Sequence, residues 1–261
     1  MCTAFVRKGK DVIVGFNMDI NMGAVDYDVY VEPDQFYVGV RPAGVANAYP
    51  ELIDNYERNG ELPVIRIQGI NHKGNFGNCL NNNMCFTKAP FRLEENVISI
   101  DHIVDDYISG TSNLEDIIRI ANEKDIVNLP KGSVDIPDLA MHSLLADREG
   151  RIMLLEPGNG YSIIQGEYAV LSNFPMLELP GDFRDENAGF YGKDRYDKAM
   201  NILRDSNEDF SIEDGIRILR AVKQEGTWAT RVSFVYSNNE NAVYYCKERD
   251  FDHMIRHQFV N

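Results

Sequence analysis

Short apolar runs separated by turns mark the beginning of the chain. Residues 3–6 and 12–16 are two such runs, and residues 8–11 between them, Lys-Gly-Lys-Asp, have the composition of a hairpin turn. In a tight antiparallel hairpin, the far end of the second strand returns beside the start of the first. We therefore expect Cys2 and Asp19 to be neighbours.

Further strands are predicted where apolar residues alternate between turn residues. These segments are residues 35–40, 63–68, 140–146, 151–156, 161–165, 168–172, 227–236 and 242–246. The four segments from 140 to 172 predict one antiparallel meander, and the last two predict a hairpin. Residues 20–34 and 41–60 are predicted to be irregular, and residues 69–74 to form a turn. The tail from 250 is polar and supports no prediction.

Helical spacing of apolar residues appears in two blocks. Residues 98–128 form the first, with a break at 110–113, and residues 190–206 begin the second. Ser211 is placed to cap a further helix that runs to about residue 224, with Asp214 three positions later. Strands and helices thus come in separate groups, which is typical of an α+β fold with two antiparallel sheets face to face and helices outside. No linker divides the chain, so we expect one domain over residues 1–261.

Composition and charge narrow the class of protein. The 261 residues are 44% hydrophobic and 26% charged, as in ordinary globular proteins, and the net charge is −15. A strongly acidic chain is a poor ligand for nucleic acid or an anionic membrane. No apolar run approaches the ~20 residues of a membrane span, and early charges argue against a signal peptide. We therefore expect a cytoplasmic protein.

Metal and disulfide patterns are not found in the sequence. Cys2, Cys79, Cys85 and Cys246 have neither CxxC nor zinc-site spacing, and the five histidines are scattered. We expect no metal and no cofactor.

Cys2 follows the initiator Met1 directly. If Met1 is removed, Cys2 carries both a thiol, with a usual pKa of ~8.5, and an α-amine, with a usual pKa of ~7.7–8.0. One residue would then supply a nucleophile and a general base, with Asp19 beside them to orient the amine. The alternative is that Cys2 is an inert small hydrophobic residue.

The opening string, Met-Cys-Thr, then a hairpin, then residues 15–19 as Gly-Phe-Asn-Met-Asp, resembles the choloylglycine hydrolase family of bile salt hydrolases and penicillin V acylases. Other stretches resemble the same family in the family's own order. They are residues 69–74 with 79–81, the segment from His142 to Glu156, and residues 170–175, 192–196, 227–236 and 242–245. The resemblance implies the four-layer αββα fold of N-terminal nucleophile hydrolases.

The resemblance also implies roles for five residues. Cys2 would attack an amide carbonyl, and Asp19 would hold the α-amine. The side chain of Asn173 and the backbone N–H of Asn81 would form the oxyanion hole. Arg195 would be a supporting charge near the site.

Each of these positions has a simpler alternative. Asn82 would replace Asn81 if the two sequences align one residue differently. Asn173, near Pro175, is also a common turn residue, Asp19 could cap a loop, and Arg195 could be an exposed helical residue.

One position departs from the family pattern. The family usually has arginine where this chain has Phe16. We infer that the Cys2 thiol is less acidic than in relatives, and that the substrate lacks the anionic group that this arginine would meet.

The implied activity is hydrolysis of the linear C–N bond of a small-molecule N-acyl amide, through an acyl-thioester intermediate. Bile salts, penicillin V, N-acyl homoserine lactones and fatty acyl amides are all candidate substrates. The alternatives are a weakly active or inactive member that binds an acyl ligand, and transfer of the acyl group to a second amine. The sequence leaves a homo-oligomer open.

Overall fold

The computed structural model describes residues 2–21, 27–41, 64–82, 89, 92, 94–128, 140–177 and 191–260. The strands within these ranges are β1 (Cys2–Lys8), β2 (Val12–Asp19), β3 (Tyr27–Val31), β4 (Gln35–Val40), β5 (Ile65–Asn71), β6 (Phe76–Asn78), β7 (Leu80–Asn81), β8 (Val97–Ser99), β9 (Asp125–Val127), β10 (Met141–Ala146), β11 (Ile152–Glu156), β12 (Gly160–Ile164), β13 (Tyr168–Leu171), β14 (Thr230–Ser237), β15 (Ala242–Lys247) and β16 (Ile255–Gln258). The helices are α1 (Ile100–Ser109), α2 (Leu114–Glu123), α3 (Lys193–Arg204), α4 (Ile212–Val222) and the 3₁₀ turn Gly226–Trp228.

Two antiparallel sheets organise the described residues. The first has the strand order β13-β1-β2-β14-β15-β16, and the second has the order β12-β11-β10-β6-β5-β4-β3, with β7 paired to β10. The predicted hairpin of β1 and β2 is present and pairs Cys2 with Met18 and Lys8 with Val12. Asp19 therefore follows the residue opposite Cys2, as the hairpin predicted.

Three apolar layers separate four layers of secondary structure. Phe16, Phe36 and Phe234 belong to the layer between the two sheets. A second layer packs α1 and α2 on the outside of the eight-stranded sheet, and a third packs α3 and α4 on the outside of the six-stranded sheet. This arrangement confirms the predicted α+β, αββα sandwich.

Local capping explains where the helices begin and end. Asn113 and Asp116 form a capping box at the start of α2, and Ser211 and Asp214 form one at the start of α4, as the sequence predicted. Gly110 ends α1 with a left-handed backbone, φ 78°, which glycine adopts without a Cβ clash. The predicted break between the first two helices is therefore confirmed.

Several strand predictions need correction. β5 continues to Asn71, into the predicted turn, and β8 and β9 lie at the two ends of the predicted helical block 98–128. β13 does not continue the meander; it crosses to the other sheet and pairs with β1, placing Tyr168 opposite Arg7. Alternation of apolar residues predicts a strand but not its partner, which is why the crossover was missed. β3 lies in a stretch predicted to be irregular, and β16 lies in the polar tail for which nothing was predicted. Both are edge strands, and their exposed residues weaken the apolar pattern. Apart from residue 41, the predicted irregular stretch 41–60 lies outside the described residues.

None of the helices in the described residues is both long enough and apolar enough to cross a lipid bilayer. The described residues also contain no group of three or more His, Cys, Asp or Glu side chains placed to hold a metal ion.

Candidate active site

Cys2 opens β1 at the end of the apolar layer between the two sheets. Its residue surface is 8% exposed. The backbone N–H of Cys2 donates to Oδ1 of Asn173 at 2.8 Å, and its carbonyl accepts from Nη1 of Arg195 at 2.6 Å. The predicted nucleophile is therefore fixed through its own backbone by two other predicted site residues.

Arg195 contacts the other members of this cluster. It lies in the first turn of α3 and is only 2% exposed. Besides the Cys2 carbonyl, Nη1 donates to Thr3 Oγ1 at 2.8 Å and lies 3.4 Å from Asp19 Oδ2. Nη2 donates to Asn173 Oδ1 at 2.8 Å. The alternative of an exposed helical arginine is wrong, because this guanidinium is buried among the predicted site residues.

Asp19 ends β2 and is almost completely buried. Burial raises the pKa of its carboxyl to about 7, although Arg195, the Thr230 hydroxyl and the amino terminus all act to lower it. The Thr230 hydroxyl donates to Asp19 Oδ1 at 2.5 Å and accepts from the backbone N–H of Gln224 at 2.8 Å. The two carboxyl oxygens are thus held by different partners, one a cation and one a hydroxyl.

Asn173 follows β13 and is fully buried. Its Oδ1 accepts from Cys2 and Arg195, and its Nδ2 donates to the backbone carbonyl of Asn81 at 2.6 Å. An amide nitrogen has two N–H bonds, so a second one is left for another acceptor.

The backbone of Asn81 faces the side chain of Asn173. The Asn82 N–H donates to the Ala140 carbonyl at 2.7 Å, which makes Asn81 and Met141 a non-hydrogen-bonded pair of the antiparallel ladder. The N–H and C=O of Asn81 therefore both point away from β10, on the side where Asn173 binds the carbonyl. The Asn82 N–H is already used within the sheet, so Asn82 is the weaker candidate for a backbone donor.

Opposing effects act on the pKa of the Cys2 thiol. Burial raises its pKa, and the Asp19 carboxylate adds to this. The positive amino terminus, a hydrogen bond from the Asp19 backbone and Arg195 all lower it. The net direction is upward, with burial as the largest cause. Phe16 is fully buried and packs against Phe234 with ring centroids 5.9 Å apart.

Sequence reasoning missed several residues that shape the cluster: Thr3, Ser172, Gly192 and Thr230. Gly192 precedes α3 with φ +87°, and a Cβ there would lie 2.4 Å from Ser172 Oγ and 2.6 Å from Arg195 Nη2. The glycine thus allows α3 to approach closely enough for Arg195 to enter the site. A glycine just before a helix was the one indication available in the sequence; the threonines and serine carry none.

The arrangement offers the parts of an acyl-transfer site. A thiol and a backbone nitrogen belong to one residue, a buried carboxyl and guanidinium lie beside them, and the Asn173 side chain connects the Cys2 nitrogen to the backbone of Asn81. This combination can attack a carbonyl and stabilise the anion that forms on its oxygen.

A scan against protein-family models finds no match, and no curated protein matches the chain. Solved structures with a similar fold include a cysteine-to-alanine mutant of the conjugated bile acid hydrolase from Clostridium perfringens, with TM-score 0.66 and 14% identity over 99% of this chain and 92% of that chain. An arginine-to-leucine variant of the same hydrolase has TM-score 0.63 and 13% identity over 98% and 92%. The penicillin V acylase from Agrobacterium tumefaciens has TM-score 0.56 and 14% identity over 94% and 83%. At these identities the likeness establishes the fold, and it is the fold that the sequence motifs implied.

Proposed function

We propose that this protein is a thiol-dependent amidohydrolase that cleaves the linear C–N bond of an N-acyl amide, with Cys2 as the nucleophile. The single observation that carries the proposal is the buried cluster in which Arg195 contacts the Cys2 carbonyl, Asp19 and Asn173 at once. The likeness to a conjugated bile acid hydrolase and a penicillin V acylase supports the same chemistry, since both named substrates are N-acyl compounds.

In the proposed reaction, Met1 is first removed, so that the Cys2 nitrogen becomes a free α-amine. The thiol proton passes to this amine as sulfur bonds to the amide carbon. The amine then gives the proton to the leaving nitrogen, the C–N bond breaks, and an acyl thioester remains. Water attacks the thioester with the amine again as base, which releases the acid and restores the thiol.

The surrounding residues would position the amine and stabilise the charges that form during the reaction. Asn173 Oδ1, 2.8 Å from the Cys2 nitrogen, would accept a hydrogen bond from the amine. The second N–H of Asn173 and the backbone N–H of Asn81 would stabilise the oxyanion. Asp19 would stabilise the protonated amine, and Arg195 would hold Asp19 and the Cys2 carbonyl in place.

The test combines protein mass with thiol reactivity. We expect the intact mass of the purified protein to lack Met1, and iodoacetamide at pH 7 to alkylate one site rapidly. Cys2→Ala should abolish the rapid phase, whereas Cys79→Ala, which removes another buried thiol, should retain it. Cleavage of glycine-conjugated bile acid, penicillin V, an N-acyl homoserine lactone and a fatty acyl amide is then assayed with both variants.

A protein that retains Met1, or whose alkylation does not depend on Cys2, would contradict the proposal. The buried thiol with its raised pKa then favours the alternative of an acyl-binding protein without turnover. Binding of the same four compounds, measured by calorimetry, would decide that alternative.

A further inference from the structure

A second buried polar cluster lies behind Asn173 and is not used by the chemistry above. His142 on β10 and Glu156 on β11 are 0% and 1% exposed. His142 Nε2 lies 2.6 Å from the Ser172 carbonyl oxygen, and Nδ1 lies 3.3 Å from Glu156 Oε1. The ring thus bridges a carboxyl group on one sheet strand and the residue that precedes Asn173.

Both ring nitrogens of His142 face acceptor atoms. The ring therefore lies within hydrogen-bonding distance of one oxygen on each side.

Glu156 also contacts the far end of the segment that contains Asn173. Its carboxyl accepts from the backbone N–H of Met176 at 2.5 Å and of Leu177 at 3.0 Å. Burial alone would raise the pKa of Glu156, but His142 and these two N–H groups more than offset it, so the pKa is lowered. Glu156 is accordingly a carboxylate.

The segment between these contacts contains Asn173. β13 ends at Leu171, and Pro175 has no N–H to continue a ladder. The backbone from 172 to 177 is instead held at its start by His142 and at its end by Glu156.

From this geometry we propose that His142 and Glu156 are positioning residues, a buried pair whose hydrogen bonds hold the 172–177 segment and so set the orientation of the Asn173 amide. Only the expected effect on turnover depends on the proposed function. The anchoring itself is a property of the free protein. Neither residue needs to touch the substrate.

The test uses Glu156→Gln, which keeps the size of the side chain. A carboxamide has one acceptor oxygen where the carboxylate has two. Its NH₂ group must therefore face the N–H of Met176 or of Leu177, and one of the two hydrogen bonds to the segment is lost. The matched control is Tyr107→Phe, which removes another buried hydrogen bond to a strand carbonyl, from the Tyr107 hydroxyl to Ala146 at 2.8 Å. Both changes lower stability, but only the first touches the segment of Asn173.

Two readouts separate positioning from general destabilisation. The first is hydrogen exchange of the Asn173 side-chain amide by NMR, with the signal assigned by its loss in Asn173→Asp. Glu156→Gln should speed this exchange at least tenfold, and Tyr107→Phe should change it less than threefold. The second is turnover, where Glu156→Gln should lower kcat about tenfold with little change in KM, and Tyr107→Phe should change neither.

Equal exchange in the two variants, or faster exchange without loss of kcat, would overturn the proposal. If the wild-type protein shows no Cys2-dependent cleavage while the exchange difference is present, the proposed function fails and the anchoring stands. Should Glu156→Gln not fold, His142→Gln and His142→Leu replace it. Glutamine at position 142 keeps a donor for the Ser172 carbonyl, whereas leucine does not. The Asn173 amide should therefore exchange more slowly in His142→Gln than in His142→Leu, and equal rates in the two variants would refute the inference.

Discussion

Cys2 and Cys79 are both buried, both free and both have a raised thiol pKa, yet they lie in different surroundings. Cys79 belongs to the apolar layer under α1, where burial and the neighbouring Asp101 carboxylate raise the thiol pKa and the neutral Ser143 side chain acts in the opposite direction. At Cys2, burial and Asp19 also raise the thiol pKa, but the amino terminus and Arg195 act against them.

The difference teaches that burial alone does not distinguish a nucleophile from a packing residue. What distinguishes Cys2 is the set of polar groups that converge on it from distant parts of the chain. Around Cys79, the described contacts are those of a core residue, with its backbone N–H donating to the Ile67 carbonyl at 2.7 Å. The predictions below test this contrast, from the largest expected effect to the smallest.

Replacing each cysteine with alanine should give the largest contrast between the two residues. Cys2→Ala should lower the rate of N-acyl amide cleavage by ~10³ or more, because loss of a nucleophile removes the covalent route. Cys79→Ala should leave kcat within about threefold and lower the free energy of unfolding by about 1 kcal/mol, as for a small core deletion. Steady-state kinetics and urea unfolding of both variants provide the measurement. Similar activity losses in the two variants would remove the contrast.

The asparagines near each cysteine form the next comparison. Asn173→Ala removes a proposed oxyanion donor and should lower kcat by ~10²–10³. Asn78 precedes Cys79, is fully buried, and binds the Leu144 backbone through both ends of its amide, at 2.8 and 3.1 Å. Asn78→Ala should destabilise the protein and leave kcat of the folded fraction within about threefold. Kinetics at a temperature where both variants are folded would test this, and a larger kcat loss for Asn78→Ala would contradict it.

Asp19 should make the stability of the Cys2 region depend on pH. Its folded pKa of about 7 lies above the usual value of 3.8, so the folded state binds this proton more tightly than the unfolded state does. The resulting stabilisation is complete below the unfolded pKa and is lost as pH rises through about 7. Between pH 5 and 8 the free energy of unfolding should fall by roughly 2–3 kcal/mol from this group.

Urea unfolding at pH 5, 6, 7 and 8 measures that slope. Asp19→Asn should remove most of it, because an amide does not titrate in this range. Asp209→Asn is the matched control, since it removes the same charge from an exposed carboxylate paired with Lys10. Parallel pH profiles for wild type and Asp19→Asn would show that Asp19 titrates normally.

The sequence was sufficient for the fold, and it named residues that lie together in the structure, but it did not predict their contacts. The β1–β2 hairpin and the two capping boxes were predictable because they depend on residues close together in the chain. The pairing of β13 with β1 was not, because many strand pairings satisfy the same alternation of apolar residues. Arg195 was named from a motif, but its burial depends on the close approach that Gly192 allows, which only the packed structure reveals.

The smallest effect concerns Thr230, which the sequence did not indicate. Its hydroxyl donates to Asp19 and accepts from the Gln224 N–H, so Thr230→Val keeps the shape and removes both hydrogen bonds. We expect the free energy of unfolding to fall by about 1–2 kcal/mol, and the pH-dependent loss of stability to move to higher pH, because the hydroxyl lowers the pKa of Asp19. Thr230→Ser keeps the hydroxyl and should leave the midpoint of the pH profile unchanged. If urea unfolding places the midpoints of both variants together, the hydroxyl does not control the Asp19 carboxyl, and the contrast with Cys79 must depend on Arg195 and Asn173.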